Sequence, residues 1–97
     1  MYRLKYLPSF DLDLAEAEDY LYEHSPLACD KLTSAVAEKM ATLPENPFVY
    51  PVYRLDDRFR LLVLPYQYLC FYRVDEDARI IAIHRLIRGM RDIPNLL

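Results

Sequence analysis

Ninety-seven residues, 54% of them hydrophobic and 28% charged, suit one small globular domain (residues 1–97) with one core and exclude a disordered chain. The net charge of −3 argues against a non-specific nucleic-acid binder, and no apolar run approaches the length of a membrane span. The charge is uneven: residues 1–50 carry four bases against nine acids, and residues 51–97 carry eight bases against six acids. All eight are arginine, the side chain suited to forked contacts with carboxylates or phosphates.

Residues 2–7 alternate, with Tyr2, Leu4 and Tyr6 set against Arg3 and Lys5, which predicts a short half-buried strand, β1, ended by Pro8. Met1-Tyr2-Arg3 leads straight into that alternation, with no secretory signal. Together with the two distant cysteines, Cys29 and Cys70, this reads as a cytoplasmic protein with two buried free thiols.

Ser9 is the predicted cap of a first helix, α1, running to about residue 24, with Asp11 and Asp13 in the first turn, where acids suit the helix dipole. Phe10, Leu14, Ala17 and Leu21 form its apolar stripe. Ser25-Pro26 restarts the chain as cap and first helical position of α2. Ala28, Leu32, Ala35, Val36, Met40 and Leu43 give the second stripe, and Pro44 stops it. Residues 44–57 hold three prolines without a clear period, which predicts an ordered loop pinned by Phe48, Tyr50 and Tyr53.

The stretch 58–91 predicts three consecutive antiparallel strands, β2, β3 and β4. In β2, Phe59, Leu61 and Val63 oppose Arg60, Leu62 and Leu64. In β3, Tyr68, Cys70, Tyr72 and Val74 oppose Leu69, Phe71 and Arg73. In β4, Ile81, Ile83, Arg85 and Ile87 oppose Ala82, His84, Leu86 and Arg88, and Gly89 ends the strand. Both faces are largely apolar, so the helices cover one and the other needs the loop, the C-terminal tail or a partner.

Few standard sites are present. There is no glycine-rich phosphate loop, CxxC or HExxH, and the two histidines and two cysteines lack metal-ligand spacing, so no cofactor and no metal are expected. The arginines near the ends of the stretch (Arg58, Arg60, Arg85, Arg88, Arg91) come near one sheet edge if the strands pair as a meander. Arg60 and Arg88 would then converge on one phosphate, and His84, on the strand face of Arg88, would transfer protons. In the plainer alternative these arginines pair with Asp56, Asp57, Asp92 or an acidic partner. Most of the nine tyrosines belong to core and sheet edge; Tyr66 and Tyr68, beside Pro65, are expected at the surface.

Leu7-Pro8 before α1, Asp13-Leu14 within it, Ala28 early in α2 and Leu43-Pro44 with Pro47 after it form an ordered series. Phe59-Arg60, the run of residues 68–74, Ile83-His84-Arg85-Leu86 and the ending 91–97 complete it. Over essentially its whole length the chain resembles the RelE/ParE superfamily of bacterial toxins from type II toxin–antitoxin systems. The resemblance implies an α+β fold in the order β-α-α-β-β-β, a helical hairpin packed on a mostly antiparallel, twisted sheet. It also implies a growth inhibitor neutralised by a cognate antitoxin, acidic and partly disordered, that wraps the toxin, with a toxin dimer allowed within the complex and no membrane partner.

The superfamily holds two activities. RelE-like members cleave mRNA on the ribosome, using basic residues around the phosphate and a C-terminal tyrosine or histidine. ParE-like members inhibit DNA gyrase. Arg60 and Arg88 match RelE-like basic positions, but Leu62 and Leu69 stand where further bases are expected, and the tail ends without tyrosine or histidine. The tail and the Pro65-Tyr66-Gln67-Tyr68 turn are closer to ParE-like sequences. The resemblance therefore implies gyrase as target, with Arg58, Tyr66, Tyr68, Arg85 and Arg91 for target or antitoxin binding. The alternatives are a RelE-like endoribonuclease with Arg60, His84 and Arg88 as catalytic residues, and an inactive toxin that only binds its antitoxin.

Overall fold

The computed structural model describes residues 1–89 and 93–97; Arg91 of the predicted site and Asp92, one of the acids expected to pair with the arginines, lie outside them. The order is β1 (Arg3–Tyr6), α1 (Pro8–His24), α2 (Pro26–Thr42), β2 (Arg60–Val63), β3 (Tyr68–Asp75) and β4 (Ile80–Arg88), as expected. The strands pair in the order β1-β4-β3-β2, with β1 parallel to β4 and the other pairs antiparallel. The helical hairpin carries the chain from the β1 edge to the far edge, where β2 begins the meander.

α1 starts two residues before the sequence places it. Leu7 is the N-cap, and Pro8 takes the first helical position, where its missing N–H costs nothing. The Ser9 hydroxyl does not cap the helix; it donates to the backbone oxygen of His84 at 2.7 Å and ties α1 to β4. Ser25 serves both helices: its N–H closes α1 on the Leu21 oxygen at 2.6 Å, and its Oγ accepts from Ala28 N–H at 3.2 Å to cap α2.

Phe10, Ala17 and Leu21 of α1 and Ala28, Leu32, Val36 and Met40 of α2 bury one sheet face with Leu62, Leu64, Tyr68, Cys70, Tyr72, Ile81, Ile83 and Leu86. The other face holds a smaller cluster, Phe59, Phe71 and Ile87. Tyr53 from the loop and Ile93, Leu96 and Leu97 from the tail cover it. Loop and tail thus supply the second cover that the two-sided apolar pattern demands. The loop is pinned by Tyr53 N–H to Phe59 O at 2.8 Å and by Leu61 N–H to Pro51 O at 3.0 Å. Beneath it the buried Tyr72 hydroxyl donates to Pro47 O at 2.9 Å. Of the thiols, Cys70 is buried, but Cys29 is only half-buried.

One irregularity resets β4. Tyr72 pairs with Ile83, but Phe71 pairs with Arg85, so His84 is an extra residue opposite that step. The bulge shifts the alternation by one. Ile81 and Ile83 face the helices as expected, but then Leu86 does so, while Ile87 joins the opposite cluster. The predicted grouping of Ile81, Ile83, Arg85 and Ile87 on one face is corrected accordingly.

Candidate functional site

The pairing separates the arginines that the sequence brings together. In a three-stranded meander the first and third strands run the same way, so the start of β2 and the end of β4 lie at opposite ends of the sheet. Arg60 stands opposite Tyr72 and Arg88 opposite Tyr68. That is four positions along β3, about 13 Å at strand spacing. Arg60 is also occupied: its Nη1 donates to Tyr50 O at 2.7 Å and Phe48 O at 3.3 Å, and its guanidinium lies 5.0 Å from the Phe48 ring centre. Arg88 lies 5.2 Å from the Tyr20 ring on the helix side.

The bulge turns His84 away from Arg88. Its ring meets Phe59 edge to face at 5.0 Å on the opposite side of the sheet. Arg58 and Arg73 lie over the Phe59 ring at 5.2 and 5.9 Å. Burial, then the positive charges of Arg73 and Arg58, push the His84 pKa below its ordinary value, so the imidazole is neutral near pH 7. Asp56 binds Arg58 through both carboxylate oxygens, at 2.9 and 2.6 Å. Hydrogen bonding to Arg58 holds the Asp56 carboxyl below the usual carboxylate range. A cleft of about 490 Å³ adjoins this group, lined among others by Lys5, Arg73, Asp75, Glu76 and His84. Arg73 is absent from the sequence-based site; its alternation with Phe71 and Leu69 on the side away from the helices was the available signal.

Arg85 is paired within the fold. Its Nε and Nη2 donate to the two Asp13 oxygens at 2.6 and 3.1 Å, and its Nη1 donates to Leu96 O at 2.6 Å. Beside it a cleft of about 330 Å³ runs between α1 and the end of β4, lined by Asp13, Glu16, Tyr20, Tyr68 and Arg88 among others. Tyr66 is 39% exposed, but Tyr68 is only 6% exposed. The two-residue turn makes Tyr68 the first residue of β3 on the helix face, so it is core, not surface; burial raises the pKa of its hydroxyl against the pull of Arg88. Among the described residues no three His, Cys, Asp or Glu side chains gather as metal ligands. No described helix is long and apolar enough to cross a membrane.

The same order of elements occurs in a solved structure, a chain of the chromosomal ParDE toxin–antitoxin system from P. aeruginosa. The two chains are 23% identical and superpose with a TM-score of 0.71 over 91% of this chain and 96% of that one, which establishes the RelE/ParE fold. No curated protein matches the sequence. The sequence model of one family, described as the ParE toxin of the type II toxin–antitoxin system parDE, matches residues 4–93. The chain therefore belongs to the ParE family of type II toxins, whose partner is a cognate antitoxin.

Proposed function

We propose that this toxin arrests growth by inhibiting DNA gyrase, and does so without cutting RNA. The dispersal of the expected phosphate-binding set carries this reading. Arg60 holds loop carbonyls, Arg88 stacks on Tyr20 about 13 Å further along β3, and His84 lies on the other face. Stabilising one scissile phosphate needs such groups on one point, within hydrogen-bond reach. Family membership supports the same target, and a gyrase target requires the toxin in the cytoplasm.

The neutralising partner is an acidic, partly disordered antitoxin segment. Apolar side chains left in solvent on the helices, Leu12, Tyr22 and Leu27, and the arginine excess of residues 51–97 support that chemistry. The deciding experiment adds purified toxin to gyrase and relaxed plasmid, and in parallel to translating ribosomes with a labelled transcript. Loss of supercoiling with an intact transcript is expected; a cut transcript with normal supercoiling would overturn the reading.

The ribonuclease reading keeps one supporting observation, which moves its residues. A neutral imidazole, His84, stands beside Arg73 and Arg58 at an open cleft, which is the equipment of a general base next to an anion site. In that reading the catalytic set is Arg58, Arg73 and His84, and the test is transcript cleavage by His84→Ala and Arg73→Ala variants.

A further inference from the structure

The β2–β3 hairpin turns through only two residues. Tyr68 N–H bonds back to Pro65 O, Leu64 N–H bonds to Tyr68 O at 2.9 Å, and Tyr66 and Gln67 form the tip. Both tip residues are left-handed, Tyr66 at φ 62° and ψ 32° and Gln67 at φ 65°. This conformation strains a residue with a side chain, and tight hairpins fill it with Asn-Gly. A bulky tyrosine and a glutamine there act against the fold.

Packing repays part of this, since the turn lies against α2 and Tyr66 is only 39% exposed. Among the described residues no hydrogen bond or ring contact reaches its side chain. The backbone beneath is held firmly. Gln67 O accepts from Gly89 N–H at 2.7 Å. The tip is therefore locked to the end of β4, beside Arg88. Arg88 in turn lies on Tyr20, whose ring stacks at 4.4 Å on His24. A turn fixed to the end of β4, with a partly exposed tyrosine and an exposed arginine beside it, has the composition of an interface hot spot.

From this we infer that the Tyr66-Gln67 tip is the docking element by which the toxin engages a folded target protein. Tyr66 enters a pocket of the target, and Arg88 pairs with a carboxylate at the pocket rim. A preformed point fits a preformed pocket, and the arginine selects an acidic rim. A flexible antitoxin segment instead gains most by lying along open apolar surface. The inference rests on the chain being a toxin and not on gyrase being its target.

The test is the double variant Tyr66→Asn/Gln67→Gly, which keeps the turn and relieves its strain while removing the ring. Melting temperature, retention of co-expressed antitoxin, and viable count after induction without antitoxin are measured. The expected result is a higher melting temperature, retained antitoxin, and at least about tenfold more survivors, the scale of losing one hot-spot side chain. Unchanged toxicity of the double variant overturns the inference. So does loss of antitoxin binding together with toxicity, and so does a wild-type chain that does not inhibit growth. If the variant loses toxicity while wild-type toxin leaves gyrase supercoiling intact, the docking inference stands and the gyrase reading falls. If Tyr66→Asn/Gln67→Gly does not fold, Tyr66→Ala in the native turn is judged by the same outcomes.

Discussion

Asp13 and Arg85 lie 72 residues apart in sequence and form a two-pronged ion pair across the α1–β4 contact. The same carboxylate accepts Leu86 N–H at 3.0 Å, just past the bulge, and the same guanidinium holds the Leu96 carbonyl of the tail. One acid therefore fixes a helix, an irregular strand and, through Arg85, the chain end. Asp13 is not in the first turn, where the sequence puts it; the start at Pro8 makes it a second-turn residue.

Asp13→Ala leaves a half-buried guanidinium and a strand N–H without their acceptor. Both side chains are mostly shielded, so screening by solvent is modest. The expected loss is about 2–3 kcal/mol, from hydrogen bonds to a charged group plus a stranded donor. Urea denaturation measures it, and faster exchange of the Leu86 amide identifies the cause. A loss under about 0.5 kcal/mol would mean that the pair is only a surface contact.

How the Arg85 contact escapes sequence reading is instructive. Helix spacing, the Ser25-Pro26 restart and strand alternation are local signals, and each recovered its element. Register is not local. The extra residue at His84 inverts the face of every later β4 side chain, sending Leu86 to the helices and Ile87 away from them. Nothing in Ile83-His84-Arg85-Leu86 advertises a bulge, since no glycine marks it. The distance between Arg60 and Arg88 was legible in principle, because an odd number of antiparallel strands sends the first start and the last end to opposite poles. Tyr68, expected at the surface because it adjoins Pro65, is buried because it is the first residue of β3 and lies on the helix face.

The strained tip makes a second stability prediction. Gln67→Gly removes the steric cost of φ 65° and adds some unfolded-state entropy. The net gain is about 0.5–1 kcal/mol, read as a higher urea midpoint at unchanged slope. A loss of stability would mean that the Gln67 side chain supports the fold through contacts stronger than the strain.

Acid destabilises this protein through His84. Its folded pKa lies below the ordinary 6.5, first through burial and then through Arg73 and Arg58. The unfolded state therefore binds the proton more readily. The contribution of His84 is complete above about pH 6.5 and is lost as pH falls through the lower folded value. His84→Gln should flatten the stability profile below pH 6.5. Arg73→Gln should raise the imidazole pKa seen by NMR; an unmoved titration would remove Arg73 from the surroundings of the ring.

Arg60 and Arg88 separate the two readings of function. Arg60 bonds two loop carbonyls, so Arg60→Ala should cost about 1–2 kcal/mol, and toxicity should fall only as far as folded protein falls. Arg88 stands in solvent against Tyr20, so Arg88→Ala should leave the urea midpoint unchanged while weakening growth arrest. Denaturation curves and viable counts on the same preparations give both quantities. A nuclease that used both arginines would behave otherwise. Each variant would then lose toxicity in full at normal stability, and uncut transcripts would accompany the loss.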